Sequence, residues 1–191
     1  GHSGATYQQA VMAVAHGAMS MTHVFNGMSP FHHRDPGLVG AAFRLRDVYG
    51  EVICDGNHSN INSLNNYFMS KGRDYAIMIS DSLMAKGCPV GSKFLFGGNE
   101  IEVYPDGSAH LTSTKGLAGS TLRINRGLEI LVEKAGVPFD YAINSCTLNP
   151  ARALGVDDRK GKICTGYDAD IVVLNNDYDV VQTYARGVAC K

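Results

Sequence analysis

Val52-Ile53-Cys54-Asp55, followed by Gly56-Asn57-His58, sets an apolar, strand-like run against a loop that carries a histidine just past the run. The arrangement recurs on both sides. His23 closes Met21-Thr22-His23-Val24-Phe25, and Asp81 follows Ala76-Ile77-Met78-Ile79-Ser80. His2 stands at the start of the chain with no such run before it. Groups that bind metals or move protons, placed where successive strands end, are what a parallel barrel displays at its reactive face. The pattern therefore predicts a parallel α/β architecture with its working end at the strand C-termini.

The segments between these runs fit that plan. The pattern predicts helices over 6–17, capped by Thr6 or Ser3, over 38–46, and over 60–71 with a stop at Gly72. Strands are expected at 21–25, 51–55 and 75–80, and a loop rich in Gly, Pro and His at 26–37. Residues 88–112 break the rhythm. Phe94-Leu95-Phe96, Ile101–Tyr104 and Ala109–Thr112 read as short strands separated by Gly97-Gly98-Asn99 and Pro105-Asp106-Gly107. A Gly-containing loop, Lys115–Gly119, then leads into a long helix at about 120–135, followed by helices near 138–146 and 148–154. From about 160 the character changes again, with strands at Ala169–Leu174 and Val180–Tyr184.

The domain reading is thus 1–159 as the C-terminal half of a TIM-like (β/α)8 barrel carrying a β-hairpin insertion at about 88–112, and 160–191 as part of a small β-sandwich domain. About four core strands are expected here, whereas such a barrel needs eight and ~250 residues. The chain also opens on Gly1 without an initiator Met. It reads as a fragment of a longer enzyme, expected to fold poorly and to be inactive by itself.

Composition narrows the function classes. The apolar fraction of 45% supports a real core, and the formal net charge of −1 offers no basic surface to nucleic acid or acidic lipid. No apolar run is long enough for a membrane span. The five cysteines are odd in number and scattered, without Cys-x-x-Cys spacing, which argues against a disulfide framework or a zinc ribbon. Reduced thiols fit a cytoplasmic location, and Cys54 reads as a small core residue.

Nine motifs in register now carry a resemblance. They are Gly1-His2-Ser3-Gly4-Ala5-Thr6, Thr22-His23-Val24-Phe25-Asn26-Gly27-Met28, His33-Arg34-Asp35-Pro36-Gly37, Asp55-Gly56-Asn57-His58, Ser80-Asp81, Leu117-Ala118-Gly119-Ser120, Asn149-Pro150-Ala151-Arg152, Lys160-Gly161-Lys162-Ile163 and Gly166-Tyr167-Asp168-Ala169-Asp170. The chain closely resembles the N-acetylglucosamine-6-phosphate deacetylases of the amidohydrolase superfamily. The resemblance implies hydrolysis of the acetamide of N-acetylglucosamine 6-phosphate to glucosamine 6-phosphate and acetate. It also implies a divalent metal, zinc or iron, at the C-terminal face of the barrel. His2 and His23 match two ligands of that family; the third, a glutamate from an earlier strand, has no counterpart here.

The remaining roles come from the same resemblance. Asp81 is implied as general base and then general acid. His58 would donate a hydrogen bond to a substrate oxygen. Asn26 and the backbone of Gly27 would contact the sugar phosphate, and alanine, common in the family at the position of Gly27, would keep that N–H. Arg34 offers a planar fork for phosphate oxygens and in the family reaches the partner subunit's site, which implies a homodimer. Leu117, Ala118 and Gly119 would form a backbone wall against the N-acetyl group. Read from the residues alone, plainer roles stay open: hydrogen-bonded structural histidines at strand ends, a loop aspartate, a solvated arginine, a helix lead-in. Two functional alternatives also stay open, namely another amidohydrolase acting on a cyclic or non-phosphorylated amide, and an inactive fragment lacking the third metal ligand.

Overall fold

The computed structural model describes residues 1–190 as an α/β assembly. Three parallel strands form its centre in the order β1 (Ser20–Met21), β2 (Tyr49–Ile53), β3 (Ala76–Ile79). Each junction between them contains a helix. α1 (Tyr7–Ala15) precedes β1, α2 (Gly37–Arg44) links β1 to β2, and α3 (Ile61–Lys71) links β2 to β3. α1 starts where a capping box forms: the Thr6 hydroxyl accepts from the Gln9 N–H, and the Gln9 side chain accepts from the Thr6 N–H. α3 begins at Asn60, whose side chain accepts from Asn62 N–H, and stops at Gly72 with φ 68°.

Apolar faces of these elements meet in one cluster that includes Val24, Val52, Ile53, Cys54, Leu64, Tyr67, Phe68, Met78 and Leu131. Cys54 is fully buried, as expected of a small core residue. Burying side chains of this size stabilises by about 1.5–3 kcal/mol each, so this cluster is what holds the sheet to its helices.

Two elements depart from the sequence expectation. β1 ends at Met21, and residues 22–27 form turns, because His23 and Phe25 adopt φ of 33° and 81°. The long helix begins at Ile124, four residues later than expected: Ser120 instead forms an isolated parallel bridge with Ser82. That helix, α4 (Ile124–Glu129), then widens into a π-helical turn over Ile130–Lys134. α5 (Phe139–Ser145) and α6 (Leu148–Ala153) follow.

The stretch from 88 to 112 folds as an antiparallel meander, β4 (Lys93–Phe96), β5 (Asn99–Val103), β6 (Ala109–Leu111). It has its own small core of Ala85, Ile101, Val103, Ala109 and Ala118, distinct from the main cluster. The tail forms a second antiparallel sheet, β7 (Ile171–Leu174), β8 (Val180–Ala185) and β9 (Val188–Ala189), the last of these unanticipated. Tyr178 ties this sheet to the helices: its hydroxyl donates to Glu133 at 2.7 Å, and its carbonyl accepts from Asn125 at 2.9 Å.

Two motif residues serve the scaffold. Asn149, fully buried, donates through Nδ2 to the carbonyls of Arg73 and Ala76, both at 2.9 Å, and Arg152 pairs with Asp74 at 2.7 Å. The Asn-Pro-Ala-Arg stretch thereby clamps the start of β3. In the tail motifs, Asp168 pairs with Arg159 at 2.7 Å and with Lys160 at 2.9 Å, and Lys160 also bonds Asp170. These pairs are partly exposed and contribute little individually.

Lys71 is a buried charge with a clear pH consequence. Its Nζ donates to the carbonyls of Leu45 and Val48 at 2.7 and 2.5 Å, just past the C-terminal end of α2. Burial, opposed only by Asp47, pushes the ammonium down to about 8. The unfolded chain keeps that proton to pH ~10.4. Between pH 8 and that value the unfolded state therefore binds more protons, so this group makes stability rise with pH. Urea unfolding between pH 7.5 and 10 is expected to show a rise on the order of 2 kcal/mol. Lys71→Met should flatten it; an unchanged slope in the variant would remove Lys71 as its source.

Candidate active site

Because β1, β2 and β3 run parallel, their C-terminal ends share one edge of the sheet. Each is followed two residues later by an ionisable side chain: His23 after Met21, Asp55 after Ile53, Asp81 after Ile79. His2 joins the same edge. The neighbouring Gly1 lies against Thr22, and the His2 and His23 rings meet edge-on with centroids 5.3 Å apart.

The backbone under three of these groups is unusual. His2, His23 and Asp81 have φ of 50°, 33° and 48°, in the left-handed region that residues with a Cβ rarely occupy. Such conformations cost on the order of 1–3 kcal/mol each and concentrate at functional sites. His23 carries a second cost. Its Nδ1 is buried and has no hydrogen-bond partner, which is unfavourable by about 1–3 kcal/mol unless a further group satisfies the site. Two adjacent imidazoles, one with an orphaned nitrogen, fit as ligands of a divalent ion such as zinc or iron. Among the described residues, no three His, Cys, Asp or Glu side chains come together to hold one.

Asp81 is exposed at the end of β3, and its carbonyl accepts from Ser120 N–H at 2.8 Å. That bond and the Ser82–Ser120 bridge fix its place on the edge. His58 is held by Asp55. The ring Nδ1 lies 2.6 Å from Asp55 Oδ2, and Asp55 Oδ1 accepts from the N–H groups of Asn57 and His58 at 2.9 and 2.8 Å. Burial raises the Asp55 carboxyl, but the hydrogen bonds from the His58 ring and from the His58 and Asn57 backbone outweigh it and hold the group below the usual carboxylate range. The pairing of Asp55 with His58 was not among the sequence expectations, although the two residues sit three apart in one motif.

The substrate-side residues are distributed less tightly. Asn26 lies in the turn after β1, with its amide nitrogen directed at the carbonyls of Val24 and His23 at 3.4 and 3.5 Å. Gly27 has φ 58°, and a Cβ there would sit 2.7 Å from the His2 ring. Alanine at this position would keep the N–H, but in this chain the His2 ring would have to move to admit the methyl. Arg34 is exposed in the 26–37 loop and makes no ion pair among the described residues. Ser29 anchors this loop by donating to the Ala5 carbonyl at 2.6 Å and accepting from Leu38 N–H at 2.7 Å. A cleft of about 350 Å³ opens between Gly4–Thr6 and the loop, with His32 and Asp35 on its wall.

Leu117, Ala118 and Gly119 run beside the meander. Leu117 bridges to His110, and Ala118 N–H donates to the Ala109 carbonyl at 3.0 Å. The Ala118 methyl packs into the meander's core, and the missing Cβ of Gly119 makes room for Leu83, whose Cγ would lie 2.6 Å from a Cβ there. The small residues here thus serve packing within the protein, and what remains for a ligand is backbone.

Comparison with known proteins places this sheet edge in a family. The chain belongs to the amidohydrolase family: the pattern described as "Amidohydrolase family" matches residues 1–190. It is 38% identical over 187 residues to N-acetylglucosamine-6-phosphate deacetylase of Bacillus subtilis, covering 98% of this chain and 46% of that protein. It is 35% identical to N-acetylgalactosamine-6-phosphate deacetylase of Escherichia coli O157:H7, covering 98% of this chain and 48% of that protein. The crystal structure of N-acetylglucosamine-6-phosphate deacetylase from Pasteurella multocida superposes with a TM-score of 0.93 at 31% identity, over 100% of this chain and 49% of the other. The chain spans about half the length of these relatives.

Proposed function

We propose that the protein hydrolyses the acetamide of N-acetylglucosamine 6-phosphate, releasing acetate and glucosamine 6-phosphate. The observation that carries the reading is the meeting of the His2 and His23 rings, with the orphaned His23 Nδ1, on the same sheet edge as Asp81. In this reading His2 and His23 hold zinc or iron, which when bound polarises the amide carbonyl and activates water. Asp81 accepts a proton from the attacking water and returns it to the departing amine. Its exposure leaves the carboxylate free for both transfers. His58 orients a substrate oxygen, Asn26 and the Gly27 N–H contact the phosphosugar, and Leu117–Gly119 offers backbone to the N-acetyl group.

The fold reading follows the same lines. Residues 1–159 form the C-terminal half of a (β/α)8 barrel with the 88–112 insertion, and 160–191 belong to a small β-sandwich. The exposure of Val172, Val173, Val180, Val181 and Val188 on the tail sheet supports the second part, since such a sheet needs another layer to bury them. No helix is long and apolar enough to cross a membrane among the described residues, and five free cysteines fit the cytoplasm.

Arg34 supplies the discriminating experiment. In a homodimer its guanidinium takes the phosphate at the neighbouring site. Arg34→Ala in the full-length protein is expected to raise KM for the 6-phosphosugar about tenfold or more, the usual scale for a hydrogen-bonded charge pair, with kcat little changed. Acetate release read by coupled assay checks this. An unchanged KM would favour an amidohydrolase of non-phosphorylated amides. The similarity to the galactosamine relative makes N-acetylgalactosamine 6-phosphate the second substrate for the same assay.

A further inference from the structure

We infer that Asp55 is a positioning residue that determines which nitrogen of His58 carries a proton, and so what His58 can recognise. The inference rests on the role proposed above for His58. Asp55 occupies on β2 the same position, two residues past the strand, that His23 and Asp81 occupy on β1 and β3. Its side chain is 12% exposed and fully engaged: one oxygen accepts two backbone N–H groups, and the other lies 2.6 Å from His58 Nδ1. The turn is made at Gly56, with φ 77°, which brings the loop back so that the imidazole lies over the carboxylate.

The proton bookkeeping follows from this geometry. An ionised carboxylate has no hydrogen to give, so the short contact requires the proton on Nδ1. Nε2 is then bare in the neutral ring. Among the described residues no hydrogen bond engages Nε2. The neutral ring can therefore only accept at Nε2, from a sugar hydroxyl or an amide N–H. It donates to a carbonyl or phosphate oxygen only as the imidazolium, for which Asp55 is the adjacent counter-charge. The notion of His58 as a simple neutral donor is thereby excluded. Donation to the acetamide oxygen, as the proposed function needs, requires a proton on both ring nitrogens, with Asp55 as the counter-charge. Asn57 links this loop to the meander, its Nδ2 lying 3.4 Å from Asp106 Oδ2, so Asp106 is the other carboxylate near the loop.

The test uses the full-length, metal-loaded protein and reads two independent quantities. Nitrogen-15 NMR of labelled histidine, with the His58 resonance assigned by its loss in His58→Asn, is expected to show a protonated Nδ1 in the parent. It should show a mixed or Nε2–H form in Asp55→Asn, which keeps the shape but lacks the charge. In the kinetic arm, Asp55→Asn is expected to lower kcat/KM for N-acetylglucosamine 6-phosphate by about 10–100-fold with metal content unchanged. On a His58→Ala background the same substitution should cost less than about twofold, because the two residues act as one unit. Asp55→Glu, which restores the charge, should recover part of the loss. A neutral His58 with the proton on Nε2 in the parent would overturn the inference whatever the enzyme does. So would an equal loss from Asp55→Asn with and without His58, which marks a purely structural residue. If the protein releases no acetate at all, the functional reading fails, and the NMR arm still decides the state of the ring.

Discussion

Asp81→Asn in the full-length protein is expected to lower kcat for acetate release by about 10²–10⁴-fold, the range for loss of a positioned proton-transfer group, while KM changes little. The substitution is nearly isosteric, and the contact that places Asp81 is made by its backbone, through the bond from Ser120 N–H. The left-handed φ of 48° is also compatible with asparagine, which tolerates that region better than most residues. Folding and metal content should therefore match the parent, which makes kcat the readout. Activity within a few-fold of the parent would assign the proton transfers to another group and leave Asp81 as an ordinary loop residue.

Asn149→Ala is expected to destabilise the protein by about 3 kcal/mol. Asn149 is fully buried, and its amide supplies the hydrogen bonds to the Arg73 and Ala76 carbonyls where β3 begins. Without it, the buried Ala76 carbonyl loses a partner at about 1–3 kcal/mol and the part-buried Arg73 carbonyl loses one at lesser cost, and the truncated side chain leaves a void. For a domain of this size that corresponds to a fall in Tm on the order of 10 °C. Asn149→Asp, which keeps the shape but removes the donors, should be at least as damaging. Thermal unfolding of the full-length protein followed by circular dichroism measures both. A loss under about 0.5 kcal/mol in both variants would mean that water or local rearrangement satisfies the carbonyls. Since β3 carries Asp81 at its other end, activity should decline with stability in these variants, not before it.

The parallel α/β order was legible because its signals are local. Thr6 with Gln9, Asn60 and Gly72 mark helix ends, and the continuous apolar runs at 52–54 and 76–79 mark buried strands. What escaped reading depends on tertiary context. Val24 and Phe25 look like strand residues by composition, but the chain turns at His23 to bring its ring beside His2, and Val24 is buried from a turn. The helix expected from about 120 starts only at Ile124, because Ser120 bridges to Ser82, 38 positions earlier in the chain. β9 was missed because Arg186-Gly187 is not the usual Asn-Gly turn, although both residues adopt the positive φ, 48° and 79°, that a two-residue hairpin needs. Among the candidate site residues, strand-end placement singles out His23 and Asp81 by position. The resemblance was needed to separate His2 and Arg34 from ordinary surface groups. The Asp55–His58 contact required coordinates, since spacing alone does not tell whether a loop folds back on itself.

The separate packing of the meander has a consequence for how such an enzyme diversifies. Ala118 belongs to the small nucleus of Ile101, Val103 and Ala109, while Val24, adjoining His23, belongs to the large one. If, as proposed, the 117–119 stretch meets the acyl group, changes in the insertion would reshape that end of the site while the strand-end edge stays as it is. Selectivity and chemistry are thus free to evolve on different parts of one chain.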